Sequence, residues 1–247
     1  GVFEHGEKAL DAIFRQARVP LHFVAEDPVR LHERRLLYPT PSNIEDHPRI
    51  HDPRTAADAT ATAAALAISH GIQLHFLQVS SEEEIEFLTR YANHSLRASA
   101  SLYHLLMNAE DTYPRIGDMA HTVPPIRSAR HQHALKKAIG DGTIQSLTSG
   151  HCPNSIESKD LSYPNSVPGM PGVEWSLSLC LDQVHQGAMS LSDISRLWCE
   201  GPAKMHRLPR KGRLEVGFDG DVVLVDCKAK HTITAQTTYS KCGWTPW

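Results

Sequence analysis

Four short stretches constrain what this chain can fold into. Residues 19–27 (VPLHFVAED), 72–81 (IQLHFLQVSS), 96–104 (LRASASLYH) and 143–154 (TIQSLTSGHCPN) each read as a buried strand running into a turn. The second is the most legible. Its largely apolar run, 72–79, leads into Ser80 and Ser81, and Ser81 with Glu84 three positions on is a capping box that starts a helix over 82–93. Strand, tight turn and helix, repeated, is the grammar of a parallel α/β sheet. In such sheets the chemistry sits where strands end and helices begin. The side chains at the four strand ends therefore decide what the chain can do.

The intervening sequence fits that frame. Residues 7–18 form an amphipathic helix with Ala9, Ile13, Phe14 and Ala17 on one face. The first strand is expected over 21–25, a short helix over 29–37 and a loop over 38–53. Asp52 and Pro53 set an N-cap and a proline at N1 before an Ala-rich helix over 54–70, which Gly71 stops. Strands follow over 96–103 and 143–147, with helices over 131–139, 177–184 and 191–198. Residues 108–130 and 151–172 read as long loops. Beyond Arg210 the stretches 212–217 and 221–226 alternate and punctuate like a β-hairpin. A boundary is placed there, dividing the chain into 1–210 and a small β segment, 211–247.

Composition narrows the function classes. A net charge of -3 gives no basic footprint for nucleic acid. No apolar run reaches the roughly 18 residues of a membrane span. The five cysteines are scattered and odd in number, without CxxC spacing, which points to reduced thiols and a cytoplasmic protein. The chain opens at Gly1 without Met and shows no signal peptide, and is read as a segment whose preceding residues are missing. Sixteen histidines invite a metal hypothesis.

The blocks VAEDP, QVSS, SLYHL, VPPIRS, DGTIQSLTSGHCP, VPGMPGVEWSLSL, KGRLEVGFDGDVVLVD and SKCGWTPW run in that order from residue 19 to residue 247. Together they resemble the dihydroorotase branch of the amidohydrolase superfamily. The resemblance implies the C-terminal half of a metal-dependent TIM (β/α)8 barrel, strands five to eight over 1–210. It also implies the C-terminal part of a small β-sandwich over 211–247. It implies zinc held by His and Asp at strand ends, acidifying a water and polarising the ring amide. An Asp at the end of strand eight handles the proton. The family's His-x-His of strand one has no counterpart here and is expected upstream.

Against the family patterns, the losses cluster on the chemical positions. Strand five keeps the carboxylates of His-Ala-Glu-Asp as Val24-Ala25-Glu26-Asp27, but its His is Val24. The His of strand six is Gln78, a poor zinc ligand. The first His of strand seven is Tyr103 and the catalytic Asp of strand eight is Gly150. The substrate-meeting His is Asn154, and the Asn of the Asn-Pro-Pro-Leu-Arg loop is Val123. Asp27 stands open between residual metal ligand and helix cap. Strand alternation turns His75 away from the site and leaves His104 and His151 one step off; they stand open between histidines hydrogen-bonded under the loops and, where a turn breaks the parity, site-facing replacements for the lost ligands. His131 and His133 are two apart on a helix and are expected on the surface. Cys152 is expected to be a small buried loop residue rather than a nucleophile.

The resemblance thus implies a dihydroorotase homologue without catalysis, binding zinc weakly or not at all. It would act as structural partner of aspartate carbamoyltransferase. Half a barrel also leaves sheet edges unpaired, so oligomers are expected. Two alternatives compete: an active cyclic-amide hydrolase with altered ligands, and a metal-free small-ligand module using Arg127, Asn154 and the 169–172 loop with Gly169.

Overall fold

The computed structural model describes residues 6–24, 26–91 and 95–247. Strands β1 (Leu21–Phe23), β2 (Leu74–Phe76), β3 (Leu96–Ser101) and β4 (Ser146–Thr148) form one sheet in the order β1-β2-β3-β4, and every pair is parallel. Parallel neighbours require crossovers, and helices supply them. Helix α1 (Glu7–Gln16) precedes β1. Helices α2 (Pro28–Leu37), α3 (His47–Ile50) and α4 (Pro53–His70) link β1 to β2, and α5 (Glu82–Arg90) links β2 to β3. Between β3 and β4 run α6 (Leu102–Leu106), α7 (Ala109–Ile116) and α8 (Ala129–Gly140). After β4 come α9 (Ile156–Lys159), α10 (Ser176–His185), α11 (Leu191–Ser195) and α12 (Gly201–Met205), the last two joined by a π-helical turn at Arg196–Glu200.

The two faces of the sheet differ in chemistry. Leu74, Phe76, Leu96, Ala98, Ala100 and Leu147 pack with Leu10, Phe14, Ile85, Leu88 and Leu135 of the helices in one continuous core. Each fully buried Leu or Phe contributes about 1.5–3 kcal/mol. Alanines 59, 63, 64 and 67 of α4 join that core and let the helix lie close to its neighbours. The alternate positions are polar: His22 pairs in register with His75, and Ser99 with Ser146.

Local chemistry sets the helix ends. Asp52 Oδ1 accepts from the Thr55 N–H at 2.9 Å, Pro53 opens α4, and Gly71 closes it with φ 64°. The Ser81–Glu84 capping box starts α5. Residue 25, expected in the first strand, and residues 92 and 93, expected in the following helix, lie outside the described residues.

Four expectations are corrected. Helix α7 stands where a loop was expected. Asn108 caps it by accepting from the Asp111 N–H at 2.9 Å, and Pro114 within it masks the helical pattern. His131 is buried, not superficial, because α8 packs on α5 and its Nδ1 accepts the Glu82 N–H at 3.1 Å. Cys152 is exposed. The hairpin after Arg210 does not form: among the described residues no strand follows β4. A lone two-stranded hairpin is marginal in water, and Val216 and Leu224 are almost wholly exposed, with no second layer to cover them. The final residues instead return to the strand-end loops. The Trp244 Nε1–H donates to the Asn154 carbonyl at 2.9 Å, and Arg115 to the Pro246 carbonyl at 3.0 Å.

Candidate functional site

The C-terminal ends of β3 and β4 are filled by Tyr103. This side chain is 2% exposed, and its hydroxyl donates to the Met170 carbonyl at 2.6 Å. Its ring stacks on Trp247 with centroids 5.6 Å apart and planes 18° apart. Gly150 lies under the ring with φ 62°. A Cβ there would stand 2.6 Å from the Tyr103 ring and 3.2 Å from Ser101 Cβ. A Cβ on Gly172 would meet the Tyr103 hydroxyl from the other side. Two glycines therefore make room for one aromatic ring. Burial pushes the tyrosine pKa far up, so the hydroxyl is a neutral donor.

The remaining groups on this side are committed to the loops. His104 Nε2 donates to the carbonyls of Pro124 and Pro125, each at 3.1 Å, and its Nδ1 faces Ser101 Oγ at 2.8 Å. Burial lowers its pKa to about 4. His151 Nδ1 accepts the Gly172 N–H at 3.1 Å. Asn154 Nδ2 donates to the Pro168 carbonyl at 3.2 Å. Gly169, with φ 128°, donates its N–H to the His121 carbonyl at 2.8 Å.

The ends of β1 and β2 are built from charges. Asp27 caps α2, accepting from the Arg30 N–H at 2.7 Å. Glu26 Oε1 lies 2.6 Å from His51 Nδ1. Burial raises the Asp52 carboxyl, but hydrogen bonds from Arg30 and Thr55 outweigh it and hold the group at about 2. Gln78 adopts φ 56°, so strand alternation breaks there. His75 lies on the polar face with His22 and Ser99. Arg127 is 4% exposed and donates to Ser80 Oγ and the His51 carbonyl, both at 2.9 Å. Burial lowers its pKa and raises that of Glu84, each opposed by the other's charge.

Between these charges and the loops lies a cavity of about 460 Å³, lined by Arg35, Tyr38, Ile50, Val123, Tyr163, several prolines and His47, His51 and His121. The His47 ring is 4.5 Å from each of the other two imidazoles, centroid to centroid. His47 Nε2 donates to the Thr122 carbonyl at 2.8 Å, and His121 Nδ1 to the Ser166 carbonyl at 2.7 Å. Burial, reinforced by the neighbouring imidazoles, holds His47 well below the usual histidine range, and burial lowers His121 to about 4. This cluster went unread in the sequence. Its signal was the spacing of His47 and His51, four apart and hence on one helical face.

The zinc chemistry of the strand-end motifs does not fit this side-chain set. Val24, Gln78, Tyr103 and Gly150 offer no imidazole or carboxylate, and the Tyr103 ring occupies the space over Gly150. His104 uses both ring nitrogens within the fold. Among the described residues no group of three or more His, Cys, Asp or Glu side chains is arranged to hold a metal.

A parallel α/β sheet with its polar groups gathered at the strand ends is the arrangement of part of a TIM-barrel fold. The same fold occurs in L-hydantoinase from Arthrobacter aurescens, with a TM-score of 0.86 over 93% of this chain and 53% of that one at 24% identity. Residues 41–245 match the amidohydrolase family, and the chain belongs to that family. Its curated relatives include a dihydroorotase from Methanosarcina acetivorans, 32% identical over 203 residues that cover 77% of this chain and 43% of the relative. A dihydroorotase-like protein from Pseudomonas aeruginosa is 30% identical over 76% of this chain and 45% of its own length. The chain spans about half the length of the curated relatives it matches. The family and the barrel fold were both legible in the sequence blocks. No described helix is long and apolar enough to cross a membrane.

Proposed function

We propose that this chain is part of a dihydroorotase-like protein of pyrimidine biosynthesis that lacks catalysis. We propose further that it serves in the cytoplasm as a structural partner of aspartate carbamoyltransferase, within an oligomer. The observation that carries the loss of catalysis is the packing of Tyr103 on Gly150. The ring stands 2.6 Å from where a side chain at position 150 would begin. Neither an imidazole ligand at 103 nor a proton-handling carboxylate at 150 is present, and the residues that replaced them fit each other. Removing a positioned acid/base alone typically costs about 10²–10⁴-fold in rate. The partner role and the oligomer rest on the sequence resemblance and on the edges of a four-stranded parallel sheet.

The test uses the full-length protein that carries this chain. After zinc loading and exhaustive dialysis it should hold no tightly bound ion at the strand ends. It should co-sediment with aspartate carbamoyltransferase at micromolar concentration. Failure to co-sediment removes the partner role. A tightly held ion lost on Glu26→Gln or Asp27→Asn removes the pseudoenzyme reading.

A second reading, a metal-free small-ligand module, is favoured by the histidine-lined cavity beside Glu26. Under it, dihydroorotate or carbamoyl aspartate would raise the melting temperature saturably, and His47→Ala would abolish the rise.

A further inference from the structure

The polar face of the sheet carries a second group of imidazoles, upstream of the strand ends. His22 and His75 are register partners on β1 and β2, and their Nδ1 atoms lie 3.1 Å apart. His75 is buried, whereas His22 is exposed. His75 Nε2 lies 3.0 Å from Ser99 Oγ, which is itself fully buried. His206 stacks on the other side of His22, with centroids 5.1 Å and planes 12° apart.

We propose that His22 and His75 together bind one borderline divalent cation, of the class of Zn²⁺, Ni²⁺ or Cu²⁺, each through its Nδ1. Imidazole nitrogens hold such ions at about 2.0–2.1 Å. Two nitrogens 3.1 Å apart subtend about 95° at an ion placed at that distance from both. That angle suits adjacent positions of square-planar and octahedral ions and lies within reach of a tetrahedral one.

The outer contacts favour the ligating tautomer. With its Nε2–H donated to Ser99 Oγ, His75 presents an Nδ1 lone pair toward His22. Without metal, the His22 Nδ1–H donates to that lone pair. On binding, the His22 proton moves to its Nε2, so both Nδ1 lone pairs reach the cation and no net proton is released. Two protein ligands, water in the remaining positions and the nearby Arg97 charge set a modest affinity, on the order of 10 µM. The site is distinct from a structural zinc cage and from the strand-end positions.

The experiment uses the untagged full-length protein that carries this chain, stripped with chelator and titrated with Cu²⁺ and Zn²⁺ by calorimetry. Electron paramagnetic resonance of the Cu²⁺ form supplies a second readout. One saturable equivalent is expected, with nitrogen couplings from two imidazoles. His22→Gln, an exposed substitution, should weaken binding at least about tenfold and remove one imidazole from the spectrum. His133→Gln, which changes an exposed histidine on α8, should change neither. Equal affinity in wild type and His22→Gln, or no saturable binding, overturns the assignment. Retained far-ultraviolet dichroism in His22→Gln confirms that lost binding is not lost fold.

Discussion

The two sides of the strand-end face have taken opposite routes from a shared plan. Beyond β3 and β4 the space is packed shut: Tyr103 lies on Gly150, hydrogen-bonds to Met170 and stacks on Trp247. Beyond β1 and β2 the carboxylates Glu26 and Asp27 persist, and a cavity of about 460 Å³ stays open beside three imidazoles. On the first side the polar groups were replaced by matched volume. On the second they were kept and tied to one another. The difference teaches that one half of a strand-end face can be filled by matched side chains while the other half retains a polar pocket.

The comparison is broken most forcefully at its packed side. Gly150→Asp forces a side chain into the Tyr103 ring at a left-handed backbone position, and should cost about 4 kcal/mol in urea unfolding. Combined with Tyr103→Ala in the same chain, the total loss should fall at least about 2 kcal/mol short of the sum of the two single losses, since the two residues share one space. Additive losses would show that the ring is not what excludes a side chain at 150.

On the open side the largest effect is expected at Arg127. Arg127→Met leaves Glu84 buried without its counter-charge and should cost about 3 kcal/mol. Adding Glu84→Gln should recover part of the loss, which denaturant midpoints of the two variants would reveal.

Acid should act on both sides. His104 and His75 have folded values of about 4, below their ordinary 6.5. The unfolded chain therefore binds more protons between those values, and stability falls as pH drops from 6.5 to 4. Each histidine contributes at most about 1.4 kcal/mol per pH unit across that window. Chemical denaturation at a series of pH values would check the slope. A stability flat from pH 6.5 to 4 contradicts the buried neutral imidazoles.

The smallest effect separates the two roles of Asp27. As the cap of α2 it should lose about 1 kcal/mol on Asp27→Ala and almost nothing on Asp27→Asn, because either side chain accepts from the Arg30 N–H. An equal loss in both variants would mean that its charge matters, as a ligand's would.

What the sequence displayed and what it hid divide along the same physical line. Local signals were plain: the Ser81–Glu84 box, the Asp52-Pro53 start and Gly71 stop of α4, and four strands whose helix-facing residues are apolar. Features made by long-range packing were not. Tyr103 and Gly150 were legible as substitutions, but their contact across 47 positions was not. His131 was hidden because only the approach of α8 to α5 buries it. The tail at 212–226 carries strand-like alternation, yet pairing needs a partner layer that its own sequence cannot supply.

We propose that the strand-end site does no chemistry. That absence is tested most directly by dihydroorotate hydrolysis and carbamoyl aspartate cyclisation, measured on the full-length protein in saturating zinc. The account predicts no turnover above the uncatalysed background, and none in Gly150→Asp. Turnover at an ordinary enzymatic rate of about 1 s⁻¹ or more by the unmodified protein would contradict it.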